Sequence, residues 1–329
     1  MLYRVYFEPS EFTYTIACED NLEIDQFVNH GSRISKEPLQ AHDLQHDLRV
    51  IMNDQVSCPP NVVDFIEPEL TSGHSEEVFL TYQNYATLEL SSHNQDILTI
   101  SPQLHINGTS VLLNACLLSM RCRAFKAKRV LLHGSGIETH GKGMVLLGDT
   151  RAGKSTFTVM ASLKASNLHA DDQILVEIDD VTSQPVAYPA KKKFTLRKDI
   201  AENHSEFSID EMKKISTPDG IKYVIDEESG IVKTTTKMPV DYLFFCDGLS
   251  NTSATVVNKL NKAEYYSRLL ENFYPLFGEH FKVFQRENKH ILELASTLHK
   301  QCFGYSISIG TDILKSPEQA IKNIMHQLE

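Results

Sequence analysis

Short segments rich in β-branched and aromatic residues recur through the first hundred positions of the chain, and polar stretches separate them. These segments are residues 5–7, 12–16, 78–82, 86–90 and 97–100. Such spacing is typical of short strands joined by turns. The pattern predicts a β-rich, mostly antiparallel N-terminal module over residues 1–105, and this stretch carries no catalytic signature of its own.

The hydrophobic period changes after residue 105. Apolar residues recur at helical spacing from residue 109 to residue 128, which predicts an amphipathic helix. Basic residues gather near its C-terminal end: Arg121, Arg123, Lys126, Lys128 and Arg129. The helix dipole favours cations there, so either a solvated basic helix end or a phosphate site fits this cluster.

The rest of the chain alternates between strand-like and helix-like patterns, which predicts an α/β domain over residues 106–329. Strands are expected at residues 130–134, 143–147, 174–178, 242–246 and 304–309, and helices at 155–163, 261–272, 288–302 and from 317 onwards. Residues 254–260 are expected to pair with 242–246. A hairpin is predicted between 223–225 and 231–234 in the polar stretch 199–239. This stretch fits a lid or docking surface, and a plain surface insertion fits equally well.

One apolar run leads into a recognisable loop. The loop and its continuation read Gly148, Asp149, Thr150, Arg151, Ala152, Gly153, Lys154, Ser155 and Thr156, which matches the phosphate-binding pattern G-x-x-x-x-G-K-S. The glycines let backbone N–H groups face phosphate oxygens, and the following helix presents its positive end to the same anion. We expect Lys154 to contact the outer phosphates and the Ser155 hydroxyl to bind Mg²⁺.

Two adjacent carboxylates follow this helix. Asp171 comes seventeen residues after Lys154, and neighbouring side chains on an extended segment point to opposite sides. One carboxylate could bind a metal while the other accepts a hydroxyl proton, but a pair of aspartates that only caps a turn fits equally well. His133, at the end of a predicted strand, fits a structural role by itself.

Three motifs together resemble the bacterial HPr kinase/phosphorylase family. They are Leu132-His133-Gly134, the loop from Gly148 to Ser155, and Ala170-Asp171-Asp172, and their separations look the same as in that family. The resemblance covers about residues 128–200, extends weakly to 303–328, and is absent from the first hundred residues. The better match is therefore to the broad class of HPr-kinase-like proteins, whose fold is related to that of phosphoenolpyruvate carboxykinase.

This resemblance implies a kinase that uses ATP and Mg²⁺. It implies Asp171 as the proton acceptor, Asp172 as a metal ligand beside Ser155, and His133 near the phosphates. Arg197 matches the arginine of a Leu-Glu-Ile-Arg-Gly-like signature and is a candidate for stabilising transition-state charge. Thr195 stands where that signature has an acid, so the sequence does not decide whether the family's second metal position and its phosphorolysis activity are present.

Composition narrows the function classes. A formal net charge of −11 over 329 residues argues against a general nucleic-acid-binding protein. No run approaches the roughly 20 apolar residues that cross a bilayer, and the first residues do not resemble a signal peptide. The six cysteines are scattered, which favours reduced thiols over a zinc or redox site. We therefore expect a cytoplasmic protein without a membrane partner.

The sequence predicts an ATP- and Mg²⁺-dependent kinase that phosphorylates a hydroxyl, in our interpretation a serine of a protein or peptide. Two alternatives stay open. One is a nucleotide-binding regulator with little or no transfer activity, and the other is a kinase of free serine or a sugar. The acceptor, the choice between ATP and GTP, and any homo-oligomer are not decided by the sequence.

Overall fold

A computed structural model describes most of the chain and divides it into two compact units, one within residues 1–128 and the other within 129–275 and 289–329. The described residues are 1–6, 10, 12–18, 33–38, 47–52, 69–73, 77–82, 86–91, 95–100, 109–163, 166–190, 194–205, 207, 212–217, 220–225, 230–250, 252–273 and 288–328. Both units contain a large β-sheet and at least one helix. The predicted mixed α/β composition is confirmed.

The first unit is built on one sheet. Its described strands are β1 (Leu2–Tyr6), β2 (Thr13–Cys18), β3 (Arg33–Glu37), β4 (Leu48–Met52), β5 (Glu69–Gly73), β6 (Glu77–Tyr82), β7 (Ala86–Ser91) and β8 (Asp96–Ile100). Their order is β3-β1-β2-β4-β8-β7-β6-β5. The β2–β4 and β4–β8 pairs are parallel, and the remaining neighbours are antiparallel.

Helix α1 (Thr109–Lys126) belongs to the first unit, whereas the sequence analysis placed the boundary before it. The buried carboxylate of Asp96 explains the difference, because it accepts hydrogen bonds from Ser119 and Arg123 of the helix. Lys126 donates to the carbonyl of Ser91. Arg123 and Lys126, two of the clustered basic residues, therefore anchor the helix to its own sheet, and neither a solvated end nor a phosphate site describes them.

The second unit contains a nine-stranded sheet and a three-stranded sheet among its described residues. Its strands are β9 (Val130–Thr139), β10 (Lys142–Leu147), β11 (Asn167–Ala170), β12 (Gln173–Ile178), β13 (Pro185–Pro189), β14 (Phe194–Arg197), β15 (Lys214–Thr217), β16 (Gly220–Ile225), β17 (Met238–Pro239), β18 (Tyr242–Leu249), β19 (Val256–Lys259) and β20 (Phe303–Ile309). Its helices are α2 (Lys154–Ser162), α3 (Lys198–Ala201), α4 (Lys262–Phe273), α5 (Asn288–Gln301), α6 (Asp312–Lys315) and α7 (Pro317–Leu328).

Strand β10 lies inside the large sheet, whose order is β17-β13-β12-β9-β10-β18-β20-β19 with β11 beside β9. It is buried from Gly143 to Leu147, which explains its continuous apolar sequence. It pairs in parallel with β18 and antiparallel with β9. A two-residue turn joins β9 to β10, and both turn residues, His140 and Gly141, have positive φ, as a type I′ hairpin turn requires.

Two predicted pairings are wrong. Residues 254–260 do contain a strand, but β19 pairs with β20 and not with β18, whose neighbours are β10 and β20. The expected hairpin between 223–225 and 231–234 does not form either. Strand β16 instead pairs with β14 and β15, while the segment at 233–235 bonds to Leu168 of β11. The polar stretch 199–239 therefore adds a small sheet to the unit.

The predicted start of α4 is confirmed in detail. Asn261 accepts hydrogen bonds from the backbone N–H groups of Ala263 and Glu264, and its amide donates to the Glu264 carboxylate. The Asn261 side chain therefore caps the helix as predicted, but Glu264 bonds the Asn261 side chain where a complete capping box has a bond to its backbone N–H. Among the described residues, no helix is both long enough and apolar enough to cross a membrane.

Candidate active site

The loop between β10 and α2 begins and ends at glycines with positive φ. Gly148 and Gly153 have φ of 140° and 90°. A Cβ on Gly148 would lie 2.9 Å from the Cys246 carbonyl oxygen, and a Cβ on Gly153 would lie 2.6 Å from the Leu249 side chain. Conformation favours glycine at both positions, and at Gly148 the neighbouring backbone also leaves no room for a side chain. Between them, Arg151 is exposed and also left-handed, with φ of 69°.

The Lys154 ammonium is enclosed by the same loop. Its Nζ donates to the carbonyls of Gly148 at 2.7 Å and Asp149 at 2.8 Å, and it lies 3.3 Å from Nε2 of His133. Burial lowers the pKa of Lys154, and the nearby carboxylates of Asp171, Asp172 and Asp149 oppose that effect. The lysine is thus held at the centre of the loop, where an anion would meet both its charge and the N-terminus of α2.

His133 connects Lys154 to Asp172. An ammonium group can only donate, so Nε2 of His133 accepts and Nδ1 carries the proton. Nδ1 lies 2.9 Å from the Asp172 carbonyl oxygen and 3.2 Å from its Oδ1. The backbone N–H of Gly134 donates to the same Asp172 carbonyl at 3.2 Å. The His-Gly pair on β9 therefore fixes the position of Asp172.

The two adjacent aspartates face different surroundings. Asp171 is buried and accepts hydrogen bonds from Ser155 Oγ at 2.6 Å, Ser135 Oγ at 3.2 Å and the backbone N–H of Thr195 at 3.3 Å. Asp172 has a left-handed backbone with φ of 72°, and its side chain is 42% exposed. The expected divergence of the two side chains is present, and it occurs at the left-handed residue Asp172, between strands β11 and β12, which both run antiparallel to β9.

The oxygen atoms gathered here suit a hard cation. The Ser155 hydroxyl and the Asp171 carboxylate are in direct contact, and hydroxyl and carboxylate oxygens are ligands that Mg²⁺ accepts. In the part of the chain that the structure describes, no three His, Cys, Asp or Glu side chains are arranged to hold a metal ion. A Mg²⁺ ion at this position would therefore complete its coordination with phosphate oxygens and water, as it does in many nucleotide sites.

A cleft of about 700 Å³ opens over the loop. His133, Lys154, Ser155 and Asp172 line it together with Thr150–Gly153 and Thr156. Arg197 also lines it, but its guanidinium forms a two-pronged ion pair with Asp199, with both N···O distances at 2.9 Å. The structure thus brings the predicted residues together, and it places Arg197 at the rim.

Several residues of the cleft were not identified from the sequence. They are Thr195, Asp199, Ile200, Lys222, Leu249 and Leu314. Ser135, under Asp171, was missed as well, although its place two residues after His133 on the same strand was a usable signal. Ile200 and Leu314 lie on four-residue helices that carry no periodic pattern.

A second cavity of about 640 Å³ adjoins the first. It shares Asp199, Ile200 and Leu314 with the cleft and is otherwise lined by Asn203, His204, Ser205 and Lys315. These residues belong to α3, the turn after it, and α6. The two cavities therefore share a wall to which Asp199, Ile200 and Leu314 contribute.

Comparisons with known proteins give little at the sequence level. No protein-family model and no curated protein matches the chain. Among solved structures, the Hpr(Ser) kinase/phosphatase from Coxiella burnetii is similar, with a TM-score of 0.29 and 10% sequence identity. The match covers 60% of this chain and 97% of that protein. The functional conclusion below therefore rests on the geometry of the site.

Proposed function

We propose that the protein is an ATP- and Mg²⁺-dependent kinase that transfers the γ-phosphoryl group to a hydroxyl, in our proposal a serine of a protein or peptide. One observation carries this proposal: a glycine loop, a buried lysine, a serine hydroxyl and the Asp172 carboxylate line one cleft, and the buried Asp171 carboxylate contacts that serine. Phosphoryl transfer needs these parts, because its catalysis rests on positioning and on neutralising charge.

Each residue has a specific task in this proposal. The loop N–H groups and Lys154 hold the phosphate chain, and the enclosed position of Lys154 limits competition from water. Mg²⁺, when bound, would neutralise negative charge on the phosphates. His133 keeps Asp172 in place through Nδ1. Arg197 could assist the transferred group only after its ion pair with Asp199 breaks.

The geometry favours roles for Asp171 and Asp172 that are the reverse of those that the resemblance implied. Asp171 is bonded to the Ser155 hydroxyl, so it occupies the place of a carboxylate that supports the metal. Asp172 lines the cleft, and its side chain is 42% exposed. We therefore propose Asp171 as the metal-side carboxylate and Asp172 as the group that receives the acceptor's proton.

The exposure of Asp172 also bears on the acceptor. A kinase of free serine or a sugar would need to enclose its substrate, so its general base would lie in a closed polar pocket. Here the Asp172 side chain is 42% exposed. This exposure favours a hydroxyl on a protein or peptide, because the residues next to the acceptor hydroxyl would then cover the site.

Titration calorimetry tests the nucleotide part of the proposal. We expect the protein to bind ATP, and to bind it more tightly with Mg²⁺ than with EDTA. Incubation with ATP labelled on its γ-phosphate should then label a peptide or protein acceptor, with slow release of phosphate to water in its absence. A protein that binds ATP but supports neither reaction would be a nucleotide-binding regulator, and a protein that does not bind ATP would contradict the proposal altogether.

A further inference from the structure

The small three-stranded sheet contributes side chains to the lining of the cleft, and along its strands the side chains alternate between two faces. Phe194, Leu196 and Tyr223 belong to the hydrophobic core of the unit. Arg197 and Lys222, the next residues in the alternation, both line the cleft. The small sheet therefore turns an apolar face to the core and a charged face to the cleft.

Arg197 and Lys222 are directly opposite each other on the neighbouring strands β14 and β16. Two like charges at such a cross-strand position destabilise a sheet unless an opposite charge compensates them. Asp199 compensates Arg197 through its two-pronged ion pair. The Lys222 ammonium has neither a hydrogen bond nor an ion pair within the part of the chain that the structure describes. This pair of strands therefore presents one uncompensated positive charge to the cleft.

The position of Lys222 relates it to the acceptor. The groups that hold the phosphates in the proposed function lie on the loop and α2, whereas Lys222 lies on the small sheet. That sheet adjoins the two aspartates, because the backbone N–H of Thr195 on β14 donates to the buried Asp171 carboxylate. Lys222 is the diagonal neighbour of Thr195 across β14 and β16, about 7–8 Å away. An acceptor whose hydroxyl reaches Asp172 would therefore have Lys222 within a few residues of that hydroxyl.

We propose that Lys222 binds an aspartate or glutamate side chain next to the acceptor hydroxyl, so that the substrate is an acidic segment of a protein or peptide. This inference rests on the proposed function, because it presumes transfer to a hydroxyl at Asp172. The ion pair of Arg197 with Asp199 shows that a carboxylate fits beside this pair of cations. The protein has a net charge of −11 and repels acidic peptides in general, so a preference for one requires a local positive charge.

Fluorescence anisotropy with two labelled peptides tests the inference. Both peptides carry a single serine, which is flanked on both sides by aspartate in one and by asparagine in the other. The protein is loaded with Mg²⁺ and a non-hydrolysable ATP analogue. At low ionic strength the aspartate peptide should bind about fivefold more tightly, which is the contribution of one partly exposed ion pair. High salt should reduce this advantage, because it screens the charges.

Substitutions at Lys222 assign the preference to this residue. Lys222→Gln should bind the two peptides about equally, whereas Lys222→Arg keeps the charge and should retain the preference. Calorimetry should show that both variants bind Mg-ATP as the parent protein does. Lys213→Gln is the matched control and should behave as the parent, since Lys213 is exposed just before β15 and is not among the described residues that line the cleft.

The outcomes separate this inference from the proposed function. Equal affinity of the parent protein for the two peptides, or no binding of either, would overturn the inference. A preference that persists in Lys222→Gln, or that Lys213→Gln also loses, would overturn it as well. In all of these cases Mg-ATP binding is intact and the proposed function stands. A parent protein that binds no ATP would instead contradict the proposed function, and the inference would fail with it.

Discussion

Nζ of Lys154 lies 3.3 Å from Nε2 of His133, so the lysine that follows Gly153 determines which imidazole nitrogen carries the proton. The other nitrogen then donates to Asp172. The charge of Lys154 and the position of the Asp172 carboxylate are thereby linked through the imidazole of His133. A substitution at any of these three residues should change the effect of substituting the other two, and double-mutant cycles can measure that coupling energy.

Lys154→Ala is expected to weaken ATP binding by about ten- to a hundredfold, because hydrogen bonds to a charged group contribute about 1.5–3 kcal/mol. The substitution keeps the glycines but removes the hydrogen bonds from Lys154 to the Gly148 and Asp149 carbonyls, so a thermal melt is run to check that the variant is folded. Lys300→Ala removes an exposed lysine from α5 and serves as the control for the loss of one charge. Calorimetry on both variants gives the result, and unchanged affinity in a folded Lys154→Ala protein would contradict the assignment of the loop.

Asp171→Asn should abolish most of the gain in ATP affinity that Mg²⁺ provides, and affinity measured in EDTA should change little. The same substitution should lower the free energy of unfolding by about 1–3 kcal/mol, since an amide nitrogen cannot accept the hydrogen bonds that now reach the buried carboxylate. Calorimetry with and without Mg²⁺, together with urea denaturation, measures both effects. Equal losses of ATP affinity in the two buffers would show that Asp171 does not support the metal.

Asp172→Asn should leave Mg-ATP binding and thermal stability nearly unchanged and slow phosphoryl transfer by about 10²–10⁴-fold. The side chain is partly exposed, and asparagine keeps its size and its ability to contact His133. A transfer assay with labelled ATP gives the rate, with phosphate release to water as a substitute until an acceptor is known. If Asp171→Asn shows this pattern and Asp172→Asn loses metal-dependent binding, the roles implied by the resemblance are the right ones.

His169 should make the protein less stable in mild acid. Burial lowers the pKa of His169 to about 4, while the unfolded chain titrates near its ordinary value of 6.5. As the pH falls from 6.5 towards 4, the unfolded state binds a proton that the folded state does not, so stability decreases. The loss between pH 8 and pH 5 should be about 2 kcal/mol from this residue.

Urea unfolding of His169→Phe tests that expectation, because the variant should lose this part of the pH dependence. His326→Phe, at an exposed position of α7, is the matched control and should behave as the parent does. A pH dependence that is the same in all three proteins would mean that His169 titrates alike in the folded and unfolded chains.

The parts of the fold that follow from local sequence were predictable. The strand, loop and helix around Lys154 have a strong apolar pattern and a defined motif, and they fold from neighbouring residues. The pairing partners of the strands were harder to predict from the sequence. Strand β19 is mostly exposed, so periodicity says little about its neighbour, and it pairs with residues about fifty positions later in the chain. The place of α1 depends on a buried carboxylate, Asp96, which carries no sequence signal.

In the candidate site, too, residues in motifs were predictable and contacts made by tertiary packing were not. His133, Lys154, Ser155, Asp171 and Asp172 were selected from motifs and spacings, and the structure places them in contact. The particular bond between Ser155 and Asp171 was not foreseen, because alternation along a strand gives the two aspartates opposite directions without saying which one meets the loop. Ile200 and Leu314 come together only through tertiary packing, and no motif joins them.

The hairpin turn between β9 and β10 offers a practical opportunity. His140 and Gly141 are exposed, and a Cβ on Gly141 would meet nothing within 4 Å. The paired residues from Gly134–Leu147 to Thr139–Lys142 separate this turn from the phosphate loop by about 17 Å, at roughly 3.4 Å per residue. A fluorophore or short epitope inserted there would be attached to the strand that carries His133 without entering the cleft. It would give an optical reporter or an immobilisation handle for screening ligands and acceptors.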